Sequence, residues 1–476
     1  MPGAIAAGAV GALVIGLTMA GSPASSAAVN GINPVRVQVD GHPANSGFLT
    51  FVERNVGIHA NESEGTVAMG GDLLIDSNYN VAAGSPPVFD TIQPSGDARP
   101  TYLYVGGGVQ WLDTNARVQV HNQGFTKIAD TSTYDAFDTD NNGAAVNYRI
   151  VEDGASYLDV PPAIDGTTRQ SPESIASPAA DLLDISDAFV AYRSITDDLA
   201  ACAATVQLTD AQGNPLDEIT PGTQGYVHLQ QGVTNVLTLH PGELGNLSEL
   251  SFRDQPSADT PLLINIVGGG YDGVFPNLAG VSGAQAPYML WNFPDATNIT
   301  ARQNSATVEG TIFAPNATLR WLSTGNIEGN IISVNLQHGG RDENNANELH
   351  DFPFQAELTC SDATPTPSPT PTPTPSPSPS ESTSPTPSPS PSPSETTTPT
   401  SSPSASSPAP SSPAPSSPAP SASESSAAPV PGQSPSSSAG GLASTGGPPI
   451  GPLVGGVVLI LAGSAVLILR RVLNRS

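Results

Sequence analysis

Short runs in which apolar and polar residues alternate, each closed by Gly, Asn or Asp, recur between residues 29 and 360. A period of two marks a strand with one buried face. Thr66–Met69, Tyr102–Val105, Ala116–Val120, Val236–Leu239 and Leu262–Ile266 fit it best. One stretch has a different period. Ile185, Phe189, Tyr192, Ile195, Leu199 and Cys202 step by three or four residues, which predicts a helix over 186–203. Asp187 would sit favourably near its positive end.

The strands carry a repeat. Val308-Glu309-Gly310-Thr311-Ile312 returns nineteen residues on as Ile327-Glu328-Gly329-Asn330-Ile331, and Pro294–Thr297 returns twenty-one residues on as Pro315–Thr318. Two motifs recurring near twenty residues predict a mainly β chain wound as a parallel β-solenoid, one coil per repeat. A β-sandwich is the alternative. In a solenoid Val308 would stack on Ile327, Ile312 on Ile331 and Thr297 on Thr318, while Gly310 and Gly329 would serve a recurring corner. A shared Gly-Gly bend after Met69 and Val105, thirty-six residues apart, reads as two coils. Glu309 and Glu328 would stack as well. Like charges about 4.8 Å apart repel, so both are expected in solvent or around a shared cation.

Composition divides the rest of the chain. Residues 1–28 read as a signal peptide: Ile5 to Met19 are apolar or small, and Ser26-Ala27-Ala28 offers a small-x-small cleavage site, although no Lys or Arg precedes the apolar run. Residues 361–441 form a Pro/Ser/Thr-rich segment with nothing to bury, expected to be a disordered, semi-rigid polyproline stalk. Residues 450–469 are uncharged and long enough to span a bilayer as a helix, followed by Arg470, Arg471 and Arg475. With 43 acidic against 15 basic residues the formal charge is −28, which makes the chain a poor ligand for nucleic acid or anionic lipid, and neither is expected as a partner.

The two cysteines of the 29–360 domain, Cys202 and Cys360, form an even pair in an exported chain and are expected to be bonded. Asp138, Asp140 and Asn142 stand at positions 1, 3 and 5 of an EF-hand-like loop with Gly143 at position 6. Position 12 is Arg149 rather than Glu, so only a looser Ca²⁺ site, with Glu152 or Asp153, could form there. No other cofactor is implied. The stretch Arg341 to Asp351, with Asp342, Glu343, Glu348 and His350, could bind a cation or perform acid–base work, but reads best as a solvated closing turn. No catalytic residue is assigned.

Leu442, Ala443, Ser444, Thr445 and Gly446, followed by the apolar span and the basic tail, resemble the cell-wall sorting signal of Gram-positive bacteria, in the Leu-Ala-x-Thr-Gly form of high-GC actinobacteria. The resemblance implies that residues 442–476 are the signal. A sortase would cleave after Thr445 and join it to peptidoglycan, and the helix would hold the chain in the membrane until then. Within the domain, Gly65–Asp72, Leu290–Thr297, Gly310–Ala317 and Glu348–Phe354 resemble four blocks of the choice-of-anchor A proteins, an exported adhesive domain whose members differ in their C-terminal anchor. The Gly310–Ala317 block is also similar to the ice-binding-like β-solenoids, which pack a long helix along the coil stack. These resemblances imply a wall-anchored adhesin at the cell surface, its head binding an unidentified extracellular ligand. The alternatives are a β-helix enzyme acting on polysaccharide, distinguished by paired acids in a cleft, and a protein binding an ordered lattice such as ice, which needs Thr rows on a flat face.

Overall fold

The computed structural model describes residues 29–177, 183–340 and 347–360. The expected signal peptide, stalk, transmembrane helix and sorting motif, with Leu442, Ala443, Ser444, Thr445 and Gly446, lie outside the described residues, as do Arg341, Asp342 and Glu343.

The strands wind into a solenoid-like, three-faced stack of mostly parallel coils. The alternating segments become Val67–Met69, Thr101–Val105, Arg117–Val120, Asn235–Leu239 and Leu262–Ile266. On the first face nine parallel segments run in the order Phe125–Ile128, Thr101–Val105, Val67–Met69, Thr50–Val52, Ile331–His338, Thr311–Trp321, Met289–Asn292, Leu262–Ile266 and Asn235–Leu239. This is not chain order. The first coil pairs with the last, Phe51 opposite Ile332. From that centre the chain winds outward to Phe125–Ile128, then resumes at the opposite end and winds back.

The helix Ile185–Ala200 lies between the two windings in sequence. Asp184 caps it by accepting from the Asp187 amide at 2.9 Å, as its residue type favours. Its buried residues Phe189, Tyr192, Ile195 and Leu199 keep the three-and-four spacing of the sequence. Phe189 stacks on Phe51 at 5.9 Å, Tyr192 meets Phe313 edge-on at 5.4 Å, and Thr196 bonds Asn292. The Leu199 carbonyl accepts from Asn265 at 2.8 Å. The helix therefore runs across the strands and covers the outer side of the first face from Thr50–Val52 to Leu262–Ile266. Its sixteen residues span about 24 Å, which matches about five strand spacings of 4.8 Å.

The predicted stacking holds where the core decides it. Val308 pairs with Ile327 and Ile312 with Ile331, all in parallel register and fully buried. Gly310 and Gly329 form the recurring corner: a Cβ on Gly329 would lie 2.7 Å from the Gly310 carbonyl. Two expectations need correction. The Gly-Gly bends after Met69 and Val105 are one coil apart, because Met69 pairs directly with Val105. The extra length is the excursion between Val81 and Thr101. Thr297 does not stack on Thr318, whose partners are Asn298 and Asn335. Trp291 still pairs with Ile312, so the turn after Asn292 holds one residue more than the turn after Phe313.

Both ends of the first face are partly sealed. At Phe125–Ile128 the Gln170 side chain imitates a strand: its Oε1 accepts from the Thr126 amide and its Nε2 donates to the Thr126 carbonyl, both at 2.8 Å. Lys127, the single lysine, is buried there between Asp97 and the Ser174 carbonyl. At the other end Thr205 Oγ1 accepts from the Val236 amide at 2.9 Å. Cys202 and Cys360 are bonded, with Cα atoms 5.6 Å apart, which ties the helix end to the closing strand Leu358–Cys360.

Candidate functional site

With the first face under the helix, the second and third faces are open to a partner. Along each strand the side chains alternate inward and outward, so parallel register turns single outward positions into rows that cross the coils.

On the second face the outward row is Asp272, Thr300, Arg320, Gln337, Gly57, Leu74 and Gln110. Arg302 holds Asp272 with two bonds of 2.7 and 2.9 Å, and Arg320 Nε donates to Gln337 at 3.0 Å. Beside it, Asn335 Nδ2 donates to Thr318 at 3.0 Å, while Asn335 Oδ1 accepts from the Asn55 amide and Asn55 Oδ1 from the Asp72 amide. These side chains are held by their neighbours. They are chemically mixed and form no threonine row.

The third face carries two polar rows. One runs Arg149, Asp165, Gln119, Asn80, Glu62, Glu348. The other runs Glu309, Glu328, His350. Here the expected stacking of Glu309 on Glu328 is present, but the expected solvent exposure of both is not. Glu309 is only 8% exposed. Burial, and then the neighbouring Glu328, push its carboxyl up to about 8, so it is neutral at pH 7. The positive charge comes from His350, one coil further on. Its Nδ1 lies 3.3 Å from Glu328 and its Nε2 3.1 Å from Glu348. The bond to Glu328, opposed by burial and aided by Glu348, lifts the imidazole to about 9. Asp351 accepts from the Val88 amide at 2.7 Å, and burial with nearby Glu64 raises it to about 6.

Thus Glu348, His350 and Asp351 of the singled-out closing stretch are engaged with protein groups on a sheet face. The carboxylates of the EF-hand-like loop are likewise occupied. Asp138 pairs with Arg169 at 2.8 Å, and Asp140 Oδ1 accepts from the Asn142 and Ala144 amides at 2.8 and 2.9 Å, closing a tight turn at Gly143. That turn joins the antiparallel strands Tyr134–Thr139 and Ala145–Glu152. Among the described residues no group of three His, Cys, Asp or Glu is arranged for a metal ion.

Sequence reasoning missed two features here. His350 meets Glu328 only because their coils adjoin, twenty-two residues apart. Arg117 and Arg149 converge on Asp165, at 3.2 and 2.7 Å, because Ala163–Gly166 lies between their strands. The alternation over 116–120 marked Arg117 and Gln119 as outward, but nothing in it pointed to Arg149.

Residues 42–344 match a family described as "Putative Ice-binding-like adhesive domain". The chain belongs to this ice-binding-like adhesive domain family. Among solved structures it is similar to an ice binding protein from an Antarctic Biological Consortium, at 10% identity over 66% of this chain and 90% of that one, with a TM-score of 0.24. It is also similar to the ice-binding protein of the Antarctic ascomycete Antarctomyces psychrotrophicus, at 11% identity over 70% and 100%, TM-score 0.20. A third is LeIBP from an Arctic yeast, at 10% identity over 69% and 98%, TM-score 0.22. No curated protein matches the chain. An adhesive domain belongs outside the cell or at its surface.

Proposed function

We propose that the chain is a sortase-anchored member of the choice-of-anchor A proteins: an exported adhesin whose head, residues 29–360, is held off the cell wall by the Pro-rich stalk and joined to peptidoglycan through Thr445. Membership of an adhesive domain family carries this reading. The outward rows of the second and third faces support it. They are broad, polar and fixed by bonds between neighbouring coils, so a partner would meet side chains whose ordering entropy has already been spent. Sorting signal, stalk and head stand in the order that display requires. The mixed second-face row gives no particular support to an ordered lattice as ligand. Hydrolysis is not favoured either, because His350 bridges the acids of the third face.

The test is adherence. Cells displaying the full chain should bind immobilised glycans or matrix proteins better than cells displaying only the signal, stalk and sorting segments. Equal adherence of the two would remove the adhesive reading.

A further inference from the structure

We infer that the shelf between Arg117, Gln119, Asn147, Arg149, Tyr157 and Asp165 is a binding site for a carboxylate-bearing saccharide. The inference rests on the adhesive reading for its setting and names the ligand class of one face.

The shelf is an open hollow of about 350 Å³. It forms where the parallel third face is extended by the antiparallel strands Tyr134–Thr139 and Ala145–Glu152. Its floor is the backbone of Gly166 over the ring of Tyr148, where a Cβ would lie 2.0 Å from the ring. Tyr148 is fixed from below by Thr126 at 2.7 Å. The walls are fixed too. Asp165 takes Arg149 Nε on one oxygen and Arg117 Nε on the other. Arg149 also donates to the Tyr157 carbonyl at 3.1 Å, with its guanidinium 4.6 Å from the centre of the Tyr157 ring.

Ligand pockets are usually lined mostly by apolar side chains, with a few polar groups for orientation. This one is the reverse. Two guanidinium groups, two amides and a carboxylate surround the ring of Tyr157, with the buried ring of Tyr148 beneath the floor. The amides of Gln119 and Asn147, both exposed, each offer a donor and an acceptor side by side. Neighbouring hydroxyls of a sugar ring present the same alternation, and the C–H face of the ring could lie on Tyr157. A peptide side chain would find no apolar pocket to fill.

Charge narrows the class. Two arginines against one aspartate leave the shelf with one net positive charge in a chain of −28. Arg117 uses Nε on Asp165 and remains 45% exposed, so its terminal N–H groups are available to a carboxylate. From Asp165 the outward row continues through Gln119 and Asn80 before turning acidic at Glu62 and Glu348. An acidic sugar would therefore sit at the arginine end, with neutral units reaching across the amides.

The experiment titrates the full chain with oligogalacturonate, hyaluronan and alginate fragments, and with galacto- and cello-oligosaccharides as neutral counterparts. At least one acidic probe should bind, in preference to the neutral ones and more weakly at higher salt. Arg117→Ala and Asn147→Ala change exposed side chains and should keep the wild-type melting temperature. Each should weaken that binding about tenfold, or about 1.4 kcal/mol. Unchanged binding in both variants, or preference for the neutral probes, would overturn the proposal. So would failure of every probe, and if displaying cells still adhered, the adhesive reading would stand without this ligand class. Loss of adherence altogether would instead strike the adhesive reading.

Discussion

Glu309 and Glu328 lie opposite each other in parallel register one coil apart, and the next residue in their row is His350. The row avoids two adjacent charges of like sign by keeping a proton on Glu309, and it places an imidazolium beside Glu328. Both devices depend on pH in the same direction. Glu309 has a folded value near 8 against an ordinary 4.5. The folded state therefore holds a proton that the unfolded state has released, and stability falls as pH rises through that window. His350 is raised from 6.5 to about 9, so its contribution is complete below 6.5 and lost as pH rises through 9.

Glu309→Gln should remove the first of these losses. The variant should match the wild type near pH 4.5 and exceed it near pH 8, by on the order of 1–3 kcal/mol. Thermal unfolding of both proteins across pH 4.5 to 9 reads the difference directly. A gap that stays constant over the range would mean that Glu309 ionises like a solvated carboxylate.

Ile312 is fully buried between Trp291 and Ile331 of the adjoining coils. Truncation to Ala leaves a cavity that neighbouring coils can close only in part, and should cost about 2–5 kcal/mol. Arg320→Ala, on the outward row of the same strand, should stay within about 0.5 kcal/mol. Denaturant unfolding of the two variants checks the pair. Similar costs at both positions would contradict the inward and outward assignment.

The helix was legible because it buries one side, and the three-and-four spacing from Phe189 to Leu199 is the direct imprint of that face. Arg117–Val120 alternates for the same reason. The first-face strands bury both sides, Val236 towards the helix and Leu237 and Leu239 inside, so they were legible as short apolar runs closed by turn residues. The register of Val308 on Ile327 was legible because the same corner, with Gly310 and Gly329, is built twice. The order of the coils was not. Period-two alternation says which side of a strand is buried but not which strand lies beside it, so nothing marked Phe51 as the neighbour of Ile332. Thr297 and Thr318 looked like partners because a motif repeat counts residues, whereas register counts strand positions, and one turn is a residue longer than the other. The polar rows were half legible: Glu309 and Glu328 could be paired from the repeat. His350 and the Arg117–Asp165–Arg149 group needed the coil order first.

Cys202 and Cys360 are the only cysteines, and their bond closes a separation of 158 residues. A loop of that length would contribute about 5 kcal/mol in the chain-entropy treatment. Cys202→Ser with Cys360→Ser should lower the unfolding midpoint and free the pairing of Leu358–Cys360 with Val29–Ile32. Peptide mapping without reduction should recover the two cysteines in one linked fragment. Thiol labelling of both residues in the native exported protein would count against the bond.

Wall attachment should depend on Thr445. In the proposed reaction its carbonyl passes from Gly446 to a peptidoglycan amine, so Thr445→Ala should leave the chain held by its apolar span. Muramidase should then release the wild type and leave the variant with the membrane. Equal release of both would remove sortase anchoring from the proposal while leaving the head untouched.

The last prediction concerns the sealed end of the coil stack. A nine-stranded parallel face would end in an open row of backbone donors and acceptors, a template for another chain. At Thr126 that row is closed by one amide side chain. Gln170 is 2% exposed, and its two bonds to the Thr126 backbone satisfy a donor and an acceptor that a water molecule would have to reach through the packed helix Pro172–Ile175. Gln170→Ala leaves both groups unpaired, at about 1–3 kcal/mol for each buried group. Gln170→Glu sets an acceptor oxygen against the Thr126 carbonyl in a buried site, so if the side chain acts by pairing it should cost at least as much as Ala at neutral pH and recover part of that at low pH, where the protonated acid can donate. Beyond the loss in stability, the Ala variant should associate with itself, because an unpaired edge is now exposed whenever the short helix lifts. Light scattering during prolonged incubation below the unfolding midpoint would detect this. A variant that loses stability but stays monomeric would show that Gln170 contributes to stability and that some other feature protects the edge.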